Sequence, residues 1–425
     1  MHETQVAESK AVMSHETTCC IVGGGPAGVV LALLLTRSGV SVTLLEAHLD
    51  FEREFRGDTL HPPVLELMEQ LGLAERLLEL PHSRMTSITM QVLGSEQPLV
   101  KVEFGRLKTK FPFIGMMPQS RFLDFLTTEA RKSPLFHLKM GATVTALIEE
   151  QGVIRGVRYR DEHGATGEVR AALTVGADGR FSKVRKLCGF EPQRTAPPQD
   201  LLWFHLPRRS DDPSQTTARI GRGHLVFMLD RDDVWQVGYV IAKGSYQLMK
   251  ERGLEALRAD LAEMVPFLVD RVEHLQDWKQ VFTLSVESSR VAQWYRPGVL
   301  LIGDAAHAMS PIGGAGINYA IQDAIVAANV LRRPLLAGQV SVRELREVQR
   351  QRELPTRVIQ FLQGQIHRRV LRSALAGKIF RVPFMARVIR HIPWFRDLPA
   401  RFMAFGLKRP RWQGAEADNA PRNPR

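Results

Sequence analysis

The chain has 425 residues, 44% hydrophobic and 24% charged, a balance that excludes a disordered or fibrous protein. That length can bury one large core or two moderate ones. The formal net charge of +12 is confined to one stretch: residues 356–411 hold 13 Lys and Arg against a single acid, Asp397, so the remainder is neutral.

Three cysteines, two of them adjacent, make no disulfide framework, and no Cys/His group has the spacing of a metal site. No apolar run reaches bilayer-spanning length, and the polar first residues lack the core of a secretory signal. A cytoplasmic protein without a metal is expected.

Residues 17–46 read TTCCIVGGGPAGVVLALLLTRSGVSVTLLE. Residues 19–22 suit a strand, 26–37 a helix opened by Pro26 and Ala27, and 40–45 a second strand. The fingerprint Gly23-x-Gly25-x-x-Gly28 joins strand to helix. Gly23 permits the tight turn, Gly25 the approach of a pyrophosphate, and Gly28 close helix–strand packing. The free N–H groups of the helix start favour phosphate. Glu46 follows Gly28 by 18 residues, where a carboxylate accepts from ribose hydroxyls. A dinucleotide site is predicted.

Pro62 and Pro63 open a helix with Val64, Leu65, Met68 and Leu71 on one face, ended by Gly72. Strands are predicted over residues 86–104, a helix over 121–131, and further strands over 136–147, 153–160 and 167–175. Residues 201–241 alternate as an inserted antiparallel sheet. A helix over 254–264 and a strand over 280–286 follow. A strand at 173–177 runs into Asp178-Gly179. A buried strand at 299–302 ends in Gly303-Asp304, followed by the loop SPIGGAG and a long apolar helix over 316–331. Asp304 there can bond a ribitol hydroxyl. Gly313, Gly314 and Gly316 let the loop lie flat against a planar ring, and the helix start favours negative charge on it.

The set GGGPAG, VGADGRFSKVR and GDAAHAMSPIGGAGIN resembles the FAD-dependent aromatic hydroxylases of the para-hydroxybenzoate hydroxylase type, with ubiquinone-biosynthesis hydroxylases and squalene epoxidase as wider relatives. The resemblance spans residues 17–331. It implies an α/β fold: a Rossmann-like FAD domain with an inserted antiparallel-sheet substrate domain and a helical C-terminal segment. The expected division assigns residues 15–85, 107–190 and 287–355 to FAD, and 86–106 and 191–286 to substrate. Residues 356–412 form a basic helical segment and 413–425 a disordered tail. It further implies that Arg56 reaches the FAD pyrophosphate and that Gln119 and Arg121 contact the flavin or its phosphates. Asp178 and Gly179 would serve both FAD and NAD(P)H. Pro311 would sit beside the isoalloxazine, with Asn318 in the same motif. The implied reaction is a monooxygenation, using NADPH or NADH and O2 through a flavin C4a-hydroperoxide. A reductase of polyprenyl or other lipophilic double bonds is the alternative.

The sequence assigns no catalytic side chain. His307 reads equally as a packed histidine and as an acid or base, and His205 as a surface residue or a group polarising a phenol. Trp203, Phe204, Phe227, Trp235 and Tyr239 suit either a sheet core or a pocket for a small hydrophobic substrate. The basic segment holds PFMARVIRHI (residues 383–392) and a piece from Asp397 to Gly406 with Leu398, Phe402 and Phe405 on one side. It reads as a cap on the body or a dimer contact, or as a peripheral anchor on an anionic membrane. No nucleic-acid fold accompanies the charge. A monomer or homodimer is expected.

Overall fold

The computed structural model describes residues 13–52, 58–95, 97–213, 216–221, 223–231, 233–368 and 397–414. Arg56, residues 383–392 and most of the expected tail lie outside them.

Strands β1 (Met13–Val22) and β2 (Val42–Leu45) flank helix α1 (Pro26–Arg37). Then come β3 (Thr59–Leu60), α2 (Pro62–Gln70), α3 (Ala74–Glu79), β4 (Ser83–Met85), β5 (Ser87–Val92), β6 (Pro98–Glu103), β7 (Ile114–Met116) and α4 (Gln119–Ala130). Strands β8 (Phe136–Lys139), β9 (Thr143–Glu150), β10 (Val153–Arg160) and β11 (Thr166–Gly176) precede α5 (Lys183–Leu187) and β12 (Pro192–Thr195). Next are β13 (Gln199–Pro207), β14 (Thr216–Gly221), β15 (His224–Asp230), β16 (Val234–Ala242), α6 (Tyr246–Arg252) and α7 (Leu254–Met264). Strands β17 (Phe282–Ser285), β18 (Ser288–Val291), β19 (Tyr295–Arg296) and β20 (Val299–Leu301) lead to α8 (Ala315–Leu336), α9 (Val342–Ile366) and a C-terminal helix α10 (Leu398–Phe405).

One sheet runs β19-β20-β11-β1-β2-β8, and its strands β20, β11, β1, β2 and β8 are mutually parallel. Helices α1 and α8 pack against it. Both are buried along most of their length, so their sequences read apolar nearly all round. Cys19 and Cys20 lie in β1 and are fully buried.

A second sheet of seven strands runs β17-β13-β16-β15-β14-β5-β6. Alternation along its strands sends residues to opposite faces. Leu202, Phe204, Leu206, Val226, Met228, Trp235, Val237 and Tyr239 share one face and are sealed by α7 through Leu257, Leu261 and Met264. Leu201, Trp203, Ala218, Ile220, Leu225 and Phe227 take the other face, against which Ile312 packs. The expectation that five aromatics could line a pocket therefore divides. Phe204, Trp235 and Tyr239 are core, while Trp203 and Phe227 look toward the loop before α8.

Two features differ from expectation, one boundary and one buried face. The break at residue 355 falls inside α9, which continues through Pro355. Its buried stripe of Leu345, Val348, Arg352, Thr356, Ile359 and Gln363 runs past the proline, and that packing offsets the missing hydrogen bond. In α10 the inward residues are Ala400 and Ala404, while Leu398 is 52% exposed. Among the described residues no helix is long and apolar enough to cross a membrane, and no cluster of three or more His, Cys, Asp or Glu side chains could hold a metal ion.

Candidate active site

The three glycine-and-aspartate motifs end neighbouring parallel strands. Gly23 follows β1, Glu46 follows β2, Ala177 and Asp178 follow β11, and Gly303 and Asp304 follow β20 with one residue between. In open α/β sheets the carboxyl ends of the strands are where ligands bind.

Their contacts are close because side chains are missing. Gly23 has φ +106°, and a Cβ there would lie 2.5 Å from the Ala177 carbonyl oxygen. A Cβ on Gly28 would lie 2.0 Å from the Gly23 carbonyl oxygen, so helix and turn meet only with glycine. By contrast, among the described residues a Cβ on Gly25 or on Gly316 would meet nothing within 4 Å. The starts of α1 and α8 thus both open onto space. Ala27, at the start of α1, lies against Gly303, whose φ is +59°.

Glu46 is buried, and its carboxylate accepts from the Gly24 N–H at 2.7 Å and the His48 N–H at 3.0 Å. This holds it against the glycine turn. Asp178 accepts from the N–H groups of Lys183 and Val184 and from the Ser182 hydroxyl. Its carboxylate fixes the entry to α5, while Gly179, φ +79°, carries the turn. Burial raises the Asp178 carboxyl pKa, against these hydrogen bonds. Arg185 is buried and donates to the carbonyls of Ala305 (3.0 Å) and Arg180 (2.7 Å), tying the second motif to the third.

His307 is enclosed. Its Nε2 lies 2.6 Å from Asp323, which also accepts from the Gly303 N–H (3.0 Å) and from Arg352 Nε (2.6 Å). Histidine, aspartate and arginine are each at most 2% exposed. The network holds the bend that presents Asp304, and His307 faces Trp294 at 4.9 Å.

The loop before α8 is gripped from several sides. Gly313 and Gly314 have φ of +76° and +61°, and Pro311 is exposed. Gln363 on α9 donates to the carbonyls of Ser310 (3.1 Å) and Ile312 (2.9 Å), and His367 bonds the Ser310 hydroxyl at 2.9 Å. Burial holds the His367 imidazole down, to about 4. Thr59 donates to the Gly314 carbonyl at 3.2 Å. Asn318 is buried and its amide reaches the Ala404 carbonyl at 3.5 Å. Gln119 begins α4, with its N–H directed to Asp58 at 3.4 Å, and the Arg121 guanidinium donates to the Pro81 carbonyl at 2.6 Å. His205 is exposed on β13, two residues from Trp203 and on the same face.

Asp323, Arg352, Gln363, His367 and Thr59 were not singled out by sequence. The available signal was a charged or amide residue set into an apolar helical stripe, as Asp323 is in α8 and Arg352 in α9.

Residues 16–360 match the FAD binding domain family. The chain is 35% identical over 396 residues to 6-methylpretetramide 4-monooxygenase of Streptomyces rimosus, covering 92% of each. It is 27% identical to a probable NADH-specific resorcinol 4-hydroxylase of Rhodococcus jostii, covering 72% of this chain and 56% of that one. The crystal structure of p-nitrophenol 4-monooxygenase from Pseudomonas putida superposes with a TM-score of 0.76 at 19% identity, over 93% of this chain and all of the other. The reductase alternative finds no support among these relatives. This chain belongs to the FAD binding domain family and is an FAD-dependent monooxygenase of the aromatic hydroxylase group.

Proposed function

We propose that the FAD lies across the carboxyl ends of β1, β2, β11 and β20 and that an apolar aromatic substrate is held between its ring and the Trp203 face of the seven-stranded sheet. The observation that carries this is the contrast among glycines. Gly23 and Gly28 are closed against their own chain, whereas Gly25 and Gly316 open outward at two helix starts. Residues so arranged fit a phosphate at one helix and a ring edge at the other.

Bound FAD supplies the redox and oxygen-transfer chemistry. The chain binds and orients. The N–H groups of Gly25, Ala27 and Gly28, around the helix start that Pro26 opens, take the pyrophosphate, while those of Gly23 and Gly24 hold the turn on Leu45 and Glu46, and Glu46 takes a ribose hydroxyl. Asp304 takes the ribitol chain. Gly313 and Gly314 present backbone to the ring with Pro311 beside it, and the first turn of α8, with Gly316 and Asn318, faces its electron-rich edge. Gly179 turns the second motif past the cofactor. Arg56, Gln119 and Arg121 are assigned to FAD by resemblance alone. The apolar face bearing Trp203 and Phe227 excludes water from the reacting atoms. NADPH or NADH is the proposed electron donor, docking transiently, because the sequence holds one complete G-x-G-x-x-G.

The relative acting on 6-methylpretetramide suggests an extended aromatic substrate here, hydroxylated and not epoxidised. The test is anaerobic bleaching of the yellow protein by NADPH and by NADH across a panel of phenols and polycyclic phenols, followed by oxygen uptake. Acceleration by a polycyclic phenol with matching oxygen uptake supports the reading. A colourless protein that stays so with excess FAD overturns it.

A further inference from the structure

Helix α10 lies more than 80 residues beyond the start of α8 in sequence, yet it sits on the loop that opens α8. The Met403 carbonyl pairs with His61 Nδ1 at 3.0 Å, and the Ala404 carbonyl accepts from Asn318. Ala400 and Ala404 are buried among Phe104, Leu107, Ile114 and Met116. Gly406 closes the helix with φ +69°, and a Cβ there would lie 2.8 Å from the Tyr319 hydroxyl. The following residues strap the helix to the body. Arg409 pairs with Glu66 of α2, and Asn329 of α8 donates to the Arg411 carbonyl at 2.8 Å and accepts from the Gln413 N–H at 3.1 Å. The Arg332 guanidinium covers Trp412 at 5.7 Å.

Two side chains of α10 straddle the loop. Phe402 packs with Met309, Ala315 and Tyr319. Met403 comes within 3.9 Å of where a Gly313 Cβ would be, and it also packs in the cluster that includes Ile88 and Leu229. Ile88 lies two residues from Met90 on β5 and Leu229 two from Phe227 on β15, so both share the face that bears Trp203. Met403 therefore occupies the corner where the glycine loop meets the sheet. It is only half-buried, and its thioether is the side chain best suited to press on the edge of an aromatic ring.

We propose that Met403 is a specificity-determining residue of the monooxygenase and that α10 forms the end wall of the substrate slot, setting the length of aromatic it accepts. This rests on the placement of the substrate against the Trp203 face argued above.

The experiment uses the full-length FAD-loaded protein and four probes of increasing length: phenol, 2-naphthol, 9-phenanthrol and 1-hydroxypyrene. Dissociation constants come from perturbation of the visible flavin spectrum, and hydrogen peroxide released per NAD(P)H oxidised is measured in parallel. Met403→Ala should shift the ratio of affinities about ten-fold toward the longer probes, and Met403→Trp should shift it in the opposite direction. Flavin content should stay at the wild-type level in both. Ratios within about two-fold of wild type in both variants would overturn the proposal. So would loss of FAD from Met403→Ala with unchanged ratios, which would make Met403 a cofactor contact. A yellow wild-type protein that responds to none of the probes would overturn the aromatic-slot reading and the wall with it. A wild type that responds while the variants do not diverge overturns the wall alone.

Discussion

Trp203 and Trp235 stand on neighbouring strands of one sheet, 7% and 0% exposed, and point to opposite sides. Trp235 meets Phe267, lies beneath the Arg208 guanidinium, and donates its N–H to Asp212 at 2.8 Å. Trp203 instead meets Phe227 edge-on at 5.1 Å across Gly238, whose missing side chain makes room for the Phe227 ring. Phe227 is only half-buried, and beyond it lies the glycine loop. One face is finished by the protein's own helices, and the other is the face proposed to meet the substrate.

The largest effect should come from breaking the sealed face. Trp235→Ala should cost about 4 kcal/mol in denaturant unfolding while the folded fraction keeps its FAD. A cost under about 1 kcal/mol would show that face to be loosely packed. Next is Asp212→Asn, which leaves the buried Arg271 guanidinium with only the more exposed Asp270 as charge partner and should cost about 2 to 3 kcal/mol. Burial opposes ionisation of Asp212, but the bonds from Arg271, the Arg209 N–H and Trp235 outweigh it and bring its carboxyl to about 2. The folded value is therefore below the unfolded one of about 3.9. The stability it lends is full above about pH 4 and is lost as pH falls through about 2, so an acid titration of the wild type should lose more stability than the Asn variant.

On the open face the effects move from stability to substrate handling. Gly238→Val should cost about 2 kcal/mol, because a Cβ would fall 2.3 Å from the Phe227 ring, and displacing that ring should weaken binding of aromatic probes. Phe227→Ala should cost only about 1 kcal/mol yet raise the peroxide released per NAD(P)H oxidised. The smallest change is expected for exposed His205. His205→Gln should alter stability by less than about 0.5 kcal/mol and turnover by less than about two-fold. A larger loss of turnover confined to phenolic substrates would mark it as a proton-handling group.

Much of this architecture was legible in the residues. The β1-α1-β2 unit announces itself through two apolar runs around a helical one, and the positive φ of Gly23 and Gly72 agrees with glycine as punctuation. Helix α7 spans the predicted 254–264. The strands of the inserted sheet were equally plain, but alternation gives only the parity of Trp203 and Phe204 and not which of them meets the helices. That is decided by α7, which is distant in sequence. The same limit hid the His307, Asp323 and Arg352 network, whose members are 16 and 29 residues apart. It also hid the docking of α10, where two alanines face inward and the larger Leu398 stays outside.

The cysteines carry a last consequence. Burial, joined for Cys19 by the neighbouring Cys20, pushes the Cys19 thiol up. Burial likewise pushes Cys20 up to about 12 and Cys188 up to about 11. Peroxide attacks the thiolate, so sulfurs held protonated and out of reach resist oxidation to sulfenic acid. Any peroxide released in an uncoupled turnover would thus meet no ready thiolate at Cys19 or Cys20 on β1.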